Sequence, residues 1–135
     1  MSGETDLQQL LASMKPQLYP EVYVFATLPP GAALPAGPEP VMRFVEREGT
    51  TLILAETHAK AAGLAGMFRS RMITLDIHSS LEAVGFLAAI TAPLAAAGMG
   101  GHPGSAFYHD HLFVPAERAD EALAILLELA AEAAI

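Results

Sequence analysis

Residues 72–85 read Met-Ile-Thr-Leu-Asp-Ile-His-Ser-Ser-Leu-Glu-Ala-Val-Gly, and the architecture turns on them. Met72, Ile73, Leu75 and Ile77 carry the apolar pattern of a strand. A Ser-Ser turn follows. A helix is then expected to open at once, with Val84 and Gly85 in its first turns. A strand that hands straight to a helix exposes backbone N–H groups without intrahelical partners. Such a junction can receive a carboxylate. An ordinary cap also fits: in Ser79-x-x-Glu82 each side chain would bond the other's backbone N–H, which explains both residues without a ligand.

On either side of this stretch the chain alternates short strands and helices. Residues 5–14 read as a helix with Leu7, Leu10, Leu11 and Met14 at helical spacing, capped by Thr5 or Asp6 and stopped by Pro16. Glu21 to Leu28 is rich in β-branched and aromatic residues and reads as a strand. The proline-rich segment 29–40 reads as a loop. Val41–Arg47 and Thr50–Leu54 suggest a hairpin across Glu48-Gly49. Thr57 is expected to cap a short helix ending near Gly63.

Beyond Arg71–His78, a helix is expected from Leu81 to about Ala97. Its composition is apolar nearly all round, with Glu82 as its one charge, so burial on more than one side is expected. Met99–Phe107 is a candidate strand that Pro103 confines to a sheet edge. His111–Val114 is a short strand. Pro115 and Glu117 then open a last helix with Ala122, Leu123, Leu126, Leu129 and Ala130 on one face. This β-α-β-β-α order is the ferredoxin-like order without its last strand. A strand of the first half, Glu21–Leu28, is available to supply it. With 135 residues in all, two interdependent half-size units suit the length better than two independent domains.

Composition removes several classes of function. The net charge is −8, which disfavours nucleic acid and anionic membranes. There is no cysteine, so disulfides, thiolate zinc sites and a thiol nucleophile are absent. The most apolar segment, Ala83–Met99, contains Pro93 and is too weak to span a bilayer. No signal peptide is expected, and the expected location is the cytoplasm. Only 16% of residues are charged, so part of the surface is expected to be covered by another copy or another segment.

The junction at 72–85, the segment Tyr108-His-Asp-His-Leu-Phe-Val-Pro115 and the helix from Glu117 together resemble an ACT domain. The whole chain resembles small stand-alone bacterial proteins with two ACT-like units in tandem. Leu-Leu-Ala-Ser-Met-Lys-Pro-Gln-Leu at 10–18 and Arg-Glu-Gly at 47–49 fit the same likeness. The resemblance implies an α+β, ferredoxin-like (βαββαβ) fold of two interlocked units with antiparallel sheets. It implies a degenerate, structural N-terminal unit over 1–66 and an ACT domain over 67–135. It also implies regulatory binding of an amino acid or similar zwitterion, without catalysis, at an interface and against the strand–helix turn. That turn corresponds to His78, Ser79, Ser80 and Leu81, with Glu82, Val84 and Gly85 beyond. In this reading the turn supplies N–H donors, Glu82 a counter-charge for an ammonium, and Val84 and Gly85 a close-packed floor. The sequence Gly100-Gly101-His102-Pro103-Gly104 departs from the branched second strand usual in the family. The expected assembly is a homodimer with an unknown protein partner. No cofactor is expected.

Two other readings compete. In one, the same surfaces only pair subunits and no ligand binds. In the other, His109 and His111 alternate on a strand and face one metal ion, with His102 and His78 as further ligands. A polar hairpin turn with Asp110 bonding the backbone explains those histidines equally well. Ser79 or Ser80 with His109 and Asp110 would make a hydrolytic set, but no spacing supports it. Arg69 and Arg71 read as solvated charges, or as a clamp for a ligand carboxylate.

Overall fold

The structure is a computed structural model that describes residues 6–77 and 83–135. The elements are α1 (Leu7–Ser13), β1 (Pro16–Leu28), β2 (Met42–Val45), β3 (Thr50–Ala55), α2 (Glu56–Ala61), β4 (Met67–Leu75), α3 (Phe86–Ala96), β5 (His102–Ser105), β6 (Asp110–Pro115) and α4 (Ala119–Ala133). A 3-10 turn, Ala116–Arg118, leads into α4. The strands are antiparallel and follow the order β2-β3-β1-β4-β6-β5.

The chain forms two compact units. One runs from Glu21 to Ser70; the other combines the chain up to Pro20 with Arg71–Ile135. Strands β1 and β4 contribute to both.

In the unit with the C-terminus, β4, α3, β5, β6 and α4 follow in ferredoxin-like order. The missing fourth strand is the Pro16–Pro20 part of β1. The Asp76 N–H donates to the Lys15 carbonyl (3.2 Å), and Arg71 Nε donates to the Tyr19 carbonyl (3.0 Å). The strand expected at Glu21–Leu28 therefore begins earlier, at Pro16. Pro16 and Pro20 conceal this, because proline reads as a strand breaker.

The core of this unit lies between one sheet face and three helices. Ile73 and Leu75 of β4 and Leu112 and Val114 of β6 share that face. Phe86, Ile90 and Leu94 make a buried stripe on α3, and Ala119, Ala122 and Leu126 make one on α4. All five apolar residues expected on one face of α4 lie in or against this core. Helix α1 adds Leu10 and Met14, and Asp6 caps it by accepting from the Gln9 N–H (3.0 Å).

Helix α3 differs from expectation in where it begins. It starts at Phe86, so its N-cap is Gly85 and not Ser79. Gly85 has φ +86°, a left-handed conformation open to glycine and costly for other residues. The apolar Ala83-Val84 pair mimics helix in sequence, but the Gly85 backbone sets the start. Within the chain the buried stripe of α3 is on one side, and Ala88, Ala92, Ala95 and Ala96 outside it are exposed.

In the Glu21–Ser70 unit the order is β2-β3-β1-β4. Val24, Ala26, Leu28, Leu52, Leu54 and Ala59 form its core, with Leu34 of the proline-rich loop against it. That loop stands where a ferredoxin-like unit would have its first helix. Glu46 and Gly49 exchange backbone hydrogen bonds and close the β2–β3 hairpin. Helix α2 starts at Glu56, its N-cap is Ala55, and Thr57 does not cap it. No described helix is long and apolar enough to cross a membrane.

Candidate functional site

The connection from β4 to α3 starts at Asp76 and ends at Gly85. His78, Ser79, Ser80, Leu81 and Glu82 lie outside the described residues. Of the expected ligand-binding set, Val84 and Gly85 are described. Val84 is 84% exposed. Among the described residues, a Cβ on Gly85 would meet Leu7 Cδ2, at an ordinary 3.6 Å. Gly85 is thus favoured by its backbone angle, φ +86°.

The alternation of β4 sends Ile73 and Leu75 into the core and Thr74 to the opposite face. There the buried Thr74 places its Oγ1 2.9 Å from His111 Nδ1 on β6. Burial lowers the His111 pKa below the ordinary histidine value; neighbouring His109 adds to this, and Asp110 opposes it.

His109 is just before β6. Its Nδ1 is 3.4 Å from the Ile77 carbonyl, and its Nε2 is 3.8 Å from Asp76 Oδ1. The Asp76 side chain is 54% exposed, so its carboxylate faces solvent at the strand end. The result is a polar cluster of Thr74, Asp76, His109 and His111 at the start of the junction. Asp76 falls within the 72–85 stretch, but its relation to His109 is a cross-strand contact that linear spacing does not display.

His109 and His111 are described, whereas His78 lies outside the described residues. The His109 and His111 rings are 6.4 Å apart and nearly perpendicular, at 81°. Among the described residues no group of three or more His, Asp or Glu side chains is arranged to hold an ion. The hairpin turn is Ala106–His109, closed by the Ala106 N–H donating to the His109 carbonyl (3.0 Å), and Asp110 is already in β6. The tip is therefore Phe107-Tyr108 and not the polar His-Asp pair.

Both arginines of the suggested carboxylate clamp have structural partners. Arg69 grips Glu56 with Nε at 2.6 Å and Nη2 at 3.3 Å, and this hydrogen bonding lowers the Glu56 pKa. Arg71 is bonded to the Tyr19 carbonyl. A separate open depression of about 460 Å³ is lined by Asp6, Gln8, Gln9, Ala12, Ala133 and Ala134.

Comparison with known proteins gives this geometry a context. One ACT-domain family profile matches residues 2–71, and a second ACT-domain profile matches residues 68–128. A Vibrio cholerae protein of unknown function, described as a possible transport protein, is 40% identical and superposes with a TM-score of 0.78. The match covers 92% of this chain and 95% of that one. An Agrobacterium tumefaciens protein superposes at 0.72 with 17% identity over 87% and 89% of the two chains. The regulatory subunit of aspartate kinase from Thermus thermophilus superposes at 0.61 with 11% identity over 88% and 97%. No curated protein matches the chain.

Proposed function

Because the chain belongs to the ACT-domain family, we propose that it is a non-catalytic sensor that binds a free amino acid or similar zwitterion at the β4–α3 junction. ACT domains are regulatory, small-molecule-binding units. The observation that carries the reading is the exposed Asp76 carboxylate at the end of β4, facing His109. An amino acid brings an ammonium for Asp76 and a carboxylate for backbone N–H donors. His78, Ser79, Ser80 and Leu81 are the proposed donors, and Glu82 is a second proposed counter-charge. Val84 and Gly85 border the site.

We place one site in each chain. In the Glu21–Ser70 unit a proline-rich loop replaces the helix that would follow the first strand, so its described residues hold no equivalent junction. We further propose a cytoplasmic homodimer that reports to a protein partner and has no role with nucleic acid or membranes. The alanine side of α3, outside its buried stripe, supports a second copy as its cover.

The test is a thermal-shift screen with each proteinogenic L-amino acid at millimolar concentration. A ligand that binds the folded state raises the melting temperature as its concentration rises. At least one amino acid is expected to do so. No shift with any of them contradicts the sensor reading and favours a module that only pairs subunits.

A further inference from the structure

The methionines of this chain differ widely in exposure. Met14 and Met99 are 3% and 4% exposed and belong to the core that holds Ile90 and Leu126. Met42 and Met72 are half-buried. Met67, the first residue of β4, is 74% exposed. Oxidation of a thioether needs contact between its sulfur and a dissolved oxidant, so exposure governs which methionine reacts.

The backbone around Met67 accounts for its exposure. Phe68 has φ +56°, the one such positive angle outside glycine among the described residues. A bulky residue adopts this left-handed conformation at a cost, so its surroundings must hold it there. Its ring meets Phe25 of β1 edge to face, with centroids 5.8 Å apart and planes at 78°. On the other side of Met67, Gly66 packs so closely that a Cβ would lie 2.6 Å from Val24 Cγ2. Beyond Phe68, Arg69 grips Glu56 of α2. Gly66, Phe68 and Arg69 are thus each held by neighbours within the Glu21–Ser70 unit, and Met67 between them projects into water.

We propose that Met67 is a reversible oxidation site, with a peroxide as the oxidant. A sulfur lone pair attacks one peroxide oxygen, the O–O bond breaks and an S=O bond forms. The attacked oxygen's proton passes to the departing oxygen, which leaves as water or an alcohol. Sulfur is oxidised and the peroxide is reduced. A sulfoxide reductase reverses the step with a dithiol: the oxygen leaves as water and the dithiol becomes a disulfide. At Met67 the new polar group stays in solvent, so the fold tolerates it. At Met14 or Met99 it would be buried among Leu10, Ile90 and Leu126 and lose its hydration. The site shares no residue with the β4–α3 junction and does not rest on the amino-acid reading.

The experiment treats the folded protein with hydrogen peroxide and follows each methionine by peptide mapping with mass spectrometry. Met67 is expected to oxidise at least about tenfold faster than Met14 and Met99, whose sulfurs meet solvent only when the core opens. Met42 and Met72 are expected to fall between. Protein oxidised at Met67 alone is expected to melt near the unmodified protein, and methionine sulfoxide reductase with dithiothreitol is expected to restore the thioether. In denaturant the five are expected to react alike. Met67→Leu is expected to remove the fastest reaction and leave the other rates unchanged. Oxidation of Met42 or Met72 ahead of Met67, or equal rates at Met67 and Met14, overturns the proposal. So does a Met67 that stays fastest in denaturant, a clear loss of melting temperature on its oxidation, or a sulfoxide that the reductase does not remove.

Discussion

His109 Nε2 lies 3.8 Å from Asp76 Oδ1, joining the start of β6 to the end of β4. Neither side chain is buried: 35% of one and 54% of the other are exposed. Exposed pairs of this kind contribute about 0–1 kcal/mol to stability. The pair is thus a poor staple, and on the sensor reading its carboxylate is open to a ligand ammonium. Asp76→Asn is expected to weaken amino-acid binding about tenfold, the scale of a lost charged hydrogen bond. Its melting temperature is expected to stay close to the wild type. Calorimetric titration and a melting curve on the same sample separate the two effects.

The burial of His111 gives stability a pH dependence. Burial, with His109 beside it, holds the folded His111 pKa below the ordinary value of 6.5. The unfolded chain therefore binds more protons in the window between the two pKa values. The contribution is full above about pH 6.5 and is lost as pH falls through the folded value. Melting temperatures measured from about pH 8 to about pH 5 are expected to fall more in the wild type than in His111→Gln. Equal slopes would contradict the assignment.

Gly85 sets where α3 begins. With φ +86° and, among the described residues, only Leu7 Cδ2 near the place a methyl would take, Gly85→Ala meets backbone strain and no serious clash with them. The expected loss is about 1 kcal/mol. Gly85→Asn is expected to lose less, because asparagine tolerates the left-handed region better. Chemical denaturation of both variants makes the comparison.

Helix α1 belongs to the core of the unit that contains the C-terminus. Leu10 is fully buried there, whereas Leu7 is 38% exposed. Leu10→Ala is expected to cost about 2–5 kcal/mol. Leu7→Ala is expected to cost about 1 kcal/mol or less. Similar losses at both positions, measured by denaturant unfolding, would contradict this packing of α1.

How much of the fold is legible in the sequence follows from the range of each physical signal. The α4 stripe of Ala122 and Leu126 and the strand pattern of Ile73 and Leu75 are local periodicities, and both are legible. Pro103 points correctly to a sheet edge, where β5 lies. The N-terminal end of β1 is not legible, because Pro16 and Pro20 mask a strand held by its neighbour β4. The start of α3 is misleading in sequence because Ala83 and Val84 share the helix's composition, and a backbone angle at Gly85 overrides it. Val84 and Gly85 end the β4–α3 connection, where Val84 is exposed and Gly85 holds a left-handed backbone angle. The Asp76–His109 contact gives no linear signal, since the two residues are distant in the chain and adjacent only after β4 and β6 pair.

The most direct measurement is amide chemical-shift mapping by NMR, using the amino acid that gives the largest thermal shift. Ligand binding at the β4–α3 junction predicts saturable perturbations concentrated in residues 76–85 and in the 106–109 turn, and their loss in Asp76→Asn. Perturbations confined to the depression lined by Asp6, Gln9 and Ala133, or none at saturating ligand, would contradict it.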